Sequence, residues 1–273
     1  MIYPVATPII KWAGGKTQLL RPYSKIFPTE FKRYFEPFLG GGAVFFHMVA
    51  RHPELKAVLS DCNVELINCY NMVKNDVGAV IQNLKTHRNE KEHFLKVRAM
   101  DVANLSPAER AARLIFLNKT CFNGLYRVNR KGQFNVPFGR YHNPKICDEI
   151  NLRAAQIALC NASITANNFE AVIAQAKRGD FVYLDPPYQP LSATSNFTGY
   201  TSASFRIDDQ ARLAAAFRKL TDKGCLAMLS NSDTPIIREL YADFQIETVY
   251  ANRAINSKSD RRGRVAEVAI FNY

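Results

Sequence analysis

Between residues 33 and 61 the chain passes from strand to helix and back to strand, and the turn in the middle leaves few folds open. Arg33 to Phe38 and Lys56 to Ser60 have the length and apolar content of strands, and Ala43 to Arg51 has helical spacing. Two strands joined through a helix lie parallel in one sheet, so this βαβ unit opens an α/β domain. The first bend, Glu36-Pro37-Phe38-Leu39-Gly40-Gly41-Gly42, places three glycines directly after the strand. Glycine there admits positive φ and lets a ligand approach the backbone. Asp61, nineteen residues beyond Gly42 and at the end of the second strand, stands where a carboxylate can accept the hydroxyls of a ribose. The pair points to a nucleoside-containing ligand. A nicotinamide dinucleotide fits less well, because the bulky Phe45 stands where G-x-G-x-x-G has its third small residue.

Strand signals return at Ser163 to Ala166, Phe181 to Leu184, Cys225 to Leu229, Gln245 to Tyr250 and Val265 to Phe271. From Glu65 to about Ala158 the pattern is instead helical and charged, and Ser106-Pro107-Ala108-Glu109 reads as a capped helix start. The expected organisation is a discontinuous α/β domain, residues 1–70 and 159–273, interrupted by an insertion at 71–158. No internal repeat or low-complexity linker breaks it further.

Asp185-Pro186-Pro187-Tyr188 follows the apolar strand Phe181 to Leu184 without a gap. Two prolines fix φ and hold the preceding residue extended, so the Asp185 carboxylate and the Pro186 carbonyl are presented at the strand's carboxyl end. Open α/β sheets bind ligands at that edge. A carboxylate and a carbonyl accept the two N–H groups of an exocyclic amine, and the Tyr188 ring supplies a stacking face for a planar base. A proline turn with a capping Asp is the plain alternative, and the second proline and the aromatic favour amine chemistry over it.

The formal charge of +12 matters only where it is concentrated. From Arg110 to Cys147 there is no Asp or Glu, while Arg110, Arg113, Lys119, Arg127, Arg130, Lys131, Arg140 and Lys145 all fall inside. Phe116, Phe122, Tyr126, Phe134, Phe138 and Tyr141 are interleaved with them. Basic and aromatic residues so mixed suit a surface that meets phosphates and wedges against bases. The six cysteines form no C-x-x-C pair and no Cys/His set at zinc spacing, so reduced thiols and no metal are expected. No eighteen apolar residues run together and the amino terminus has no basic-then-apolar leader, so a cytoplasmic protein without a membrane anchor is expected.

Lys11-Trp12-Ala13-Gly14-Gly15-Lys16-Thr17 looks at first like a phosphate loop. Ile10 stands where that motif requires glycine, and the segment precedes the first strand rather than following it. The better reading is a loop that lays Trp12 against a ligand, with Lys16 available to a carboxylate.

Taken in order, Lys11 to Lys16, Phe35 to Gly42, Asn118-Lys119 through Tyr141, and Asp185 to Tyr188 resemble the Dam family of DNA adenine-N6 methyltransferases, over nearly the whole chain. The resemblance implies a Rossmann-like methyltransferase sheet with an inserted, mostly helical target-recognition domain carrying a β-hairpin. It implies S-adenosylmethionine as cofactor, bound by Trp12, Lys16, Glu36, Phe38, Gly40, Gly42, Asp61 and Asp185, and chemistry at Asp185, Pro186 and Tyr188. Double-stranded DNA, read at GATC by a monomeric, nucleoid-associated enzyme that flips the target adenine, is the implied partner. In the hairpin segment Phe122 to Tyr141, Asn129 to Gly132 supply the turn. Arg127 can fork onto a guanine, and Leu125 and Pro137 offer apolar contact to a thymine methyl. By resemblance Tyr141 enters the base stack, Lys11 reaches the outer bases, and Asn129 belongs to the reading set. Familiar GATC members differ at the residues flanking Arg127. The basic run Lys258 to Arg264 reads as a loop over DNA phosphates. Two rival classes are an amine methyltransferase acting on RNA or a protein amide, and a DNA-binding protein without catalysis.

Overall fold

The computed structural model describes residues 4–190, 205–252 and 264–273, so the basic run at 258–263 lies outside the described residues. Its centre is a seven-stranded sheet: β1 (Tyr34–Glu36), β2 (Ala57–Asp61), β3 (Ala162–Ala166), β4 (Phe181–Leu184), β5 (Leu226–Ser232), β6 (Gln245–Asn252) and β7 (Arg264–Phe271). They lie in the order β3-β2-β1-β4-β5-β7-β6. The first five are parallel, and β7 runs antiparallel to both its neighbours. Strand order reverses between β1 and β4, and in such sheets the carboxyl ends at the reversal border a crevice.

The apolar runs read in the sequence are continuous because both faces of the sheet are covered. Phe181, Tyr183, Met228 and Ala269 face one core, and Val182, Leu184, Ala227, Leu229 and Ile270 face the other, as the period of two dictates. The first core is filled by α2 (Ala43–Arg51), α3 (Val64–Asn75), α4 (Val77–Lys85), α5 (Lys91–Ala99), α6 (Pro107–Thr120) and α7 (Glu149–Leu159), below the short α1 (Leu20–Tyr23). The second is filled by α8 (Phe169–Ile173), α9 (Ile207–Asp222) and α10 (Pro235–Leu240).

One helix would suffice to cross from β2 to β3, and this chain places five there, α3 to α7. The longest, α6, starts on the expected capping box: Ser106 Oγ accepts from Glu109 N at 3.3 Å, and Ser106 N donates to Glu109 Oε2 at 2.8 Å. Its Leu114, Ile115 and Leu117 share one core with Tyr34 and Phe181 of the sheet. The limits expected for the insertion, near residues 70 and 158, fall within α3 and α7.

The expected hairpin is reduced. Among the described residues the segment after α6 forms two isolated bridges, Cys121 with Phe138 and Val128 with Phe134, in place of two strands. Its turn does form, with Gly132 N donating to Asn129 O at 2.9 Å and Asn129 Oδ1 accepting from Lys131 N and Gln133 N. The arms fail to extend for backbone reasons. Pro137 has no N–H to give a ladder, and Asn123, between the two bridges, sits at φ 56°, which bends the first arm out of the β region.

Candidate active site and recognition loop

At the reversal between β1 and β4 a cavity of about 520 Å³ opens, and the residues expected for cofactor and chemistry meet in its wall. Trp12 and Lys16 come from the loop before α1, Glu36 and Phe38 from the end of β1, Gly40 and Gly42 from the glycine turn, Asp61 from the end of β2, and Asp185, Pro186 and Tyr188 from the end of β4.

The glycine turn is shaped by its neighbours. Gly40 adopts φ 48°, and a Cβ there would lie 2.8 Å from Trp12 Cδ1. Gly42, the residue before α2, has φ 69°, and its Cβ would meet the Tyr70 hydroxyl at 2.9 Å. Asp61 ties the turn to β2: Oδ2 accepts from Gly40 N at 3.0 Å and Oδ1 from Asn63 N at 2.9 Å. The backbone and thiol of Cys62 also reach this carboxylate, which lines the cavity. Burial nevertheless pushes its carboxyl up. Glu36, 2% exposed, accepts from the Tyr34 hydroxyl at 2.7 Å, and burial drives it up to about 8. Phe38 stacks on Phe169 at 5.6 Å and meets Phe205 edge-on at 5.9 Å, giving the cavity an aromatic wall.

Asp185 is clamped. Its Oδ1 receives Lys16 Nζ at 2.8 Å and the Ser230 hydroxyl at 2.8 Å, and the Tyr183 hydroxyl lies 2.9 Å beyond, on Ser230. Burial raises the Asp185 carboxyl, and Lys16 opposes the rise. Lys16 Nζ also donates to Gly14 O at 2.5 Å and stands 4.6 Å above the Tyr188 ring. The Tyr188 hydroxyl donates to Glu267 Oε2 at 2.6 Å. Gln210 steadies the proline loop by donating to Pro187 O at 2.9 Å. Among the described residues no group of three or more His, Cys, Asp or Glu side chains could hold a metal ion, and no helix is long and apolar enough to cross a membrane.

Lys11, Leu125, Arg127, Asn129, Pro137 and Tyr141 lie apart from this cavity, on the segment after α6 and beside it. Arg127, exposed, is braced by Asn135, with Nε to Oδ1 at 2.7 Å and Nη2 to the carbonyl at 3.2 Å. Asn129 is the turn's internal support, and also donates to Gln133 Oε1 at 3.0 Å. Pro137 is exposed and Leu125 half-buried. Tyr141 is half-buried, with Lys11 Nζ 5.1 Å from its ring centre. Trp12 joins the two regions: it lines the cavity and stacks on Tyr126 of the loop at 5.3 Å and 24°.

Not every basic residue of the acid-free stretch is surface. Arg110 pairs with Glu65, Lys145 pairs with Asp148, and Arg113 is buried, donating to Val97 O and Arg98 O. Charge free to meet a partner is thereby narrowed toward residues 127 to 140.

Sequence reasoning missed four contributors. Buried Asn118 staples the amino-terminal segment to the loop, bonding Lys11 N, Lys11 O and Gly124 O at 2.8 to 2.9 Å. Ser230 was signalled by the polar end Ser230-Asn231-Ser232 on an otherwise apolar strand. Phe169 and Glu267 carried no local signal, because their roles come from packing between distant elements.

The family description D12 class N6 adenine-specific DNA methyltransferase matches residues 12–255. The chain is 46% identical to Type II methyltransferase M.MjaIII of Methanocaldococcus jannaschii, covering 97% of this chain and 99% of that one. It is 45% identical to Type II methyltransferase M1.LlaDCHI of Lactococcus lactis subsp. cremoris, covering 97% and 95%. It is 36% identical to a DNA adenine methylase of Vibrio cholerae, covering 96% and 95%. The match spans most of the chain, and the chain belongs to the D12 class of N6 adenine-specific DNA methyltransferases.

Proposed function

We propose that the chain transfers the methyl group of S-adenosylmethionine to N6 of adenine in duplex DNA, at GATC, after the base has swung out of the stack. The observation that carries this reading is the shared cavity, in which a ribose acceptor, Asp61, and an amine acceptor, Asp185, face one space. Its volume of about 520 Å³ is within the range of small-molecule sites. The residues fit the cofactor: Asp61 offers acceptor positions to a ribose, Phe38 and Phe169 offer ring faces to an adenine, and Gly40 keeps space that a Cβ would lose to Trp12. Bound, the cofactor supplies an electrophilic methyl on a sulfonium.

The chain's own residues do the rest. Adenine N6 is a weak nucleophile because its lone pair is conjugated with the ring. Asp185 and the Pro186 carbonyl accept its two hydrogens, which favours the tetrahedral nitrogen that attack requires. Lys16 and Ser230, both on Oδ1, fix the carboxylate's rotation in advance. Asp185 need not be a strong base, since the methylated ammonium is far more acidic than the amine and gives up its proton afterwards. Tyr188 provides the face on which the everted base stacks, offsetting the few kcal/mol lost on unstacking.

Sequence reading falls to Arg127, whose guanidinium is held by two hydrogen bonds to Asn135 and can fork onto guanine O6 and N7. GATC rests on Arg127, Leu125 and Pro137 matching positions of GATC-reading members. For the wedge, Tyr141 is joined by Phe122, which is 51% exposed. The test is transfer of labelled methyl to duplexes carrying GATC or a site changed at one base pair, beside RNA and protein. N6-methyladenine in GATC alone supports the reading, and labelling of RNA, protein or unrelated duplexes overturns it.

A further inference from the structure

Glu267 has no part in the cofactor cavity or the loop. It lies in β7, opposite Ser232 of β5 and Val249 of β6. The three residues after it, Val268, Ala269 and Ile270, are fully buried, so a carboxylate beside them is costly unless something answers it. The Tyr188 phenol does, donating to Oε2 at 2.6 Å. That is the length of a charge-assisted bond from hydroxyl to carboxylate. Burial raises the Glu267 carboxyl and Lys16 draws it back.

Tyr188 has use for such an anchor. The prolines before it fix the backbone, but the ring still turns about two side-chain bonds, and a stacking face serves only in one plane. A bond at the far end fixes the ring's long axis, and because a phenol O–H prefers to lie in the ring's plane, the direction of that bond also favours one plane. Ser230 does the corresponding service for Asp185. The two side chains of the motif are therefore each held from another strand, Asp185 from β5 and Tyr188 from β7.

We propose that Glu267 is a positioning residue for methyl transfer, holding the Tyr188 ring in the plane on which the target base stacks without touching the base. The proposal rests on the reading that an everted adenine reacts in this cavity. It requires Glu267 to act through one hydroxyl, which makes it separable from a merely structural role.

The experiment compares Glu267→Ala, Glu267→Gln, Tyr188→Phe and the double variant Tyr188→Phe with Glu267→Ala. Single-turnover methyl transfer, duplex affinity, and the fluorescence of 2-aminopurine at the target position are followed. Glu267→Ala is expected to slow transfer about tenfold, as a misaligned reactant does, with duplex affinity within about twofold. Its 2-aminopurine signal should rise, because a tilted ring quenches the everted base less. Glu267→Gln, which keeps an acceptor, should recover most of the loss. Tyr188→Phe should match Glu267→Ala, and the double variant should lose nothing more. Losses that multiply in the double variant, or wild-type rates in Glu267→Ala, overturn the proposal. Tyr188→Phe leaves β7 untouched, so wild-type behaviour of that variant overturns it even if Glu267→Ala fails to fold. A wild-type protein that methylates no adenine removes the underlying reading instead.

Discussion

Asp185, at the sheet edge, is gripped by Lys16 and Ser230 at 2.8 Å each, whereas Arg130, Lys131 and Arg140, in the loop, make no ion pair among the described residues. The two regions differ in what completes them. The edge is preorganised: its dipoles and charges stand in place before a substrate arrives, so none of the barrier is spent on arranging them. The loop is left open, braced internally at Asn129 and Asn135 but with Arg130, Lys131 and Arg140 exposed; on the proposed function, phosphates and base edges supply the missing partners. On the proposed function, chemistry is local to the sheet and choice of sequence is local to the loop.

The largest effect that could break this division is expected at Asp185. Asp185→Ala should slow methyl transfer at least about a hundredfold, roughly 2.7 kcal/mol in the barrier, while duplex affinity measured by anisotropy stays nearly constant. A parallel loss of affinity would mean that the edge also binds DNA. Next comes Asp61→Ala, which removes a charge-assisted acceptor and should weaken S-adenosylmethionine by roughly 1.5–3 kcal/mol in calorimetric titration. Unchanged affinity in a folded variant would take Asp61 out of the site. In the loop, Arg127→Ala should cost about 1–3 kcal/mol of discrimination at one base pair and leave the others selective. Lys131→Ala should instead weaken all duplexes alike and lower the salt slope by about one unit. Equal losses on every substrate for Arg127→Ala would make it a backbone contact like Lys131.

A separate effect, read in stability rather than in rate or affinity, is a titration confined to the edge. Glu36 sits at about 8 against an ordinary 4.5, so between those values the folded protein holds a proton that the unfolded chain has lost. Stability from this group is full below about 4.5 and declines as pH rises through about 8. Glu36→Gln should therefore lose less thermal stability than the wild type between pH 5 and 8, followed by calorimetric melting. Identical pH profiles would show that Glu36 ionises freely in the fold.

Much of the edge was legible because its signals are contiguous. Helix α2 spans Ala43–Arg51 and β4 spans Phe181–Leu184, as their spacing suggests. Asp-Pro-Pro-Tyr and the glycine turn constrain the backbone by their own covalent chemistry. The end of β5 was misjudged at Leu229, since Ser230, Asn231 and Ser232 look like loop but are buried with their hydrogen bonds met by Asp185, Gln210 and Gln189. The loop was legible in composition and turn but not in path. Alternating residues predicted two arms, and the positive φ at Asn123 and the missing N–H of Pro137 interrupt them. Arg113 was misread for the same reason, because a charge count carries no information on which side chains fold inward. Glu267 was invisible, since nothing in Ala266-Glu267-Val268 says that a tyrosine 79 residues earlier lies within reach.

The pairing of β1 with β4 sets Tyr34 beside Phe181, and this has a consequence for how the protein comes into being. Synthesis runs from the amino terminus, and domains fold as their residues emerge. When residue 150 leaves the ribosome, the helices that cradle the loop and the loop itself have emerged, but the crevice has only one wall. The opposite wall waits for a long-range closure, the slow kind of folding event, and the anchor of Tyr188 comes later still. Because α6 and the loop share a core with Phe181 and Tyr183 of β4, their packing too is completed only when that strand arrives. Premature arrest leaves the chain without β4 and Asp185, and so without the opposite wall of the crevice.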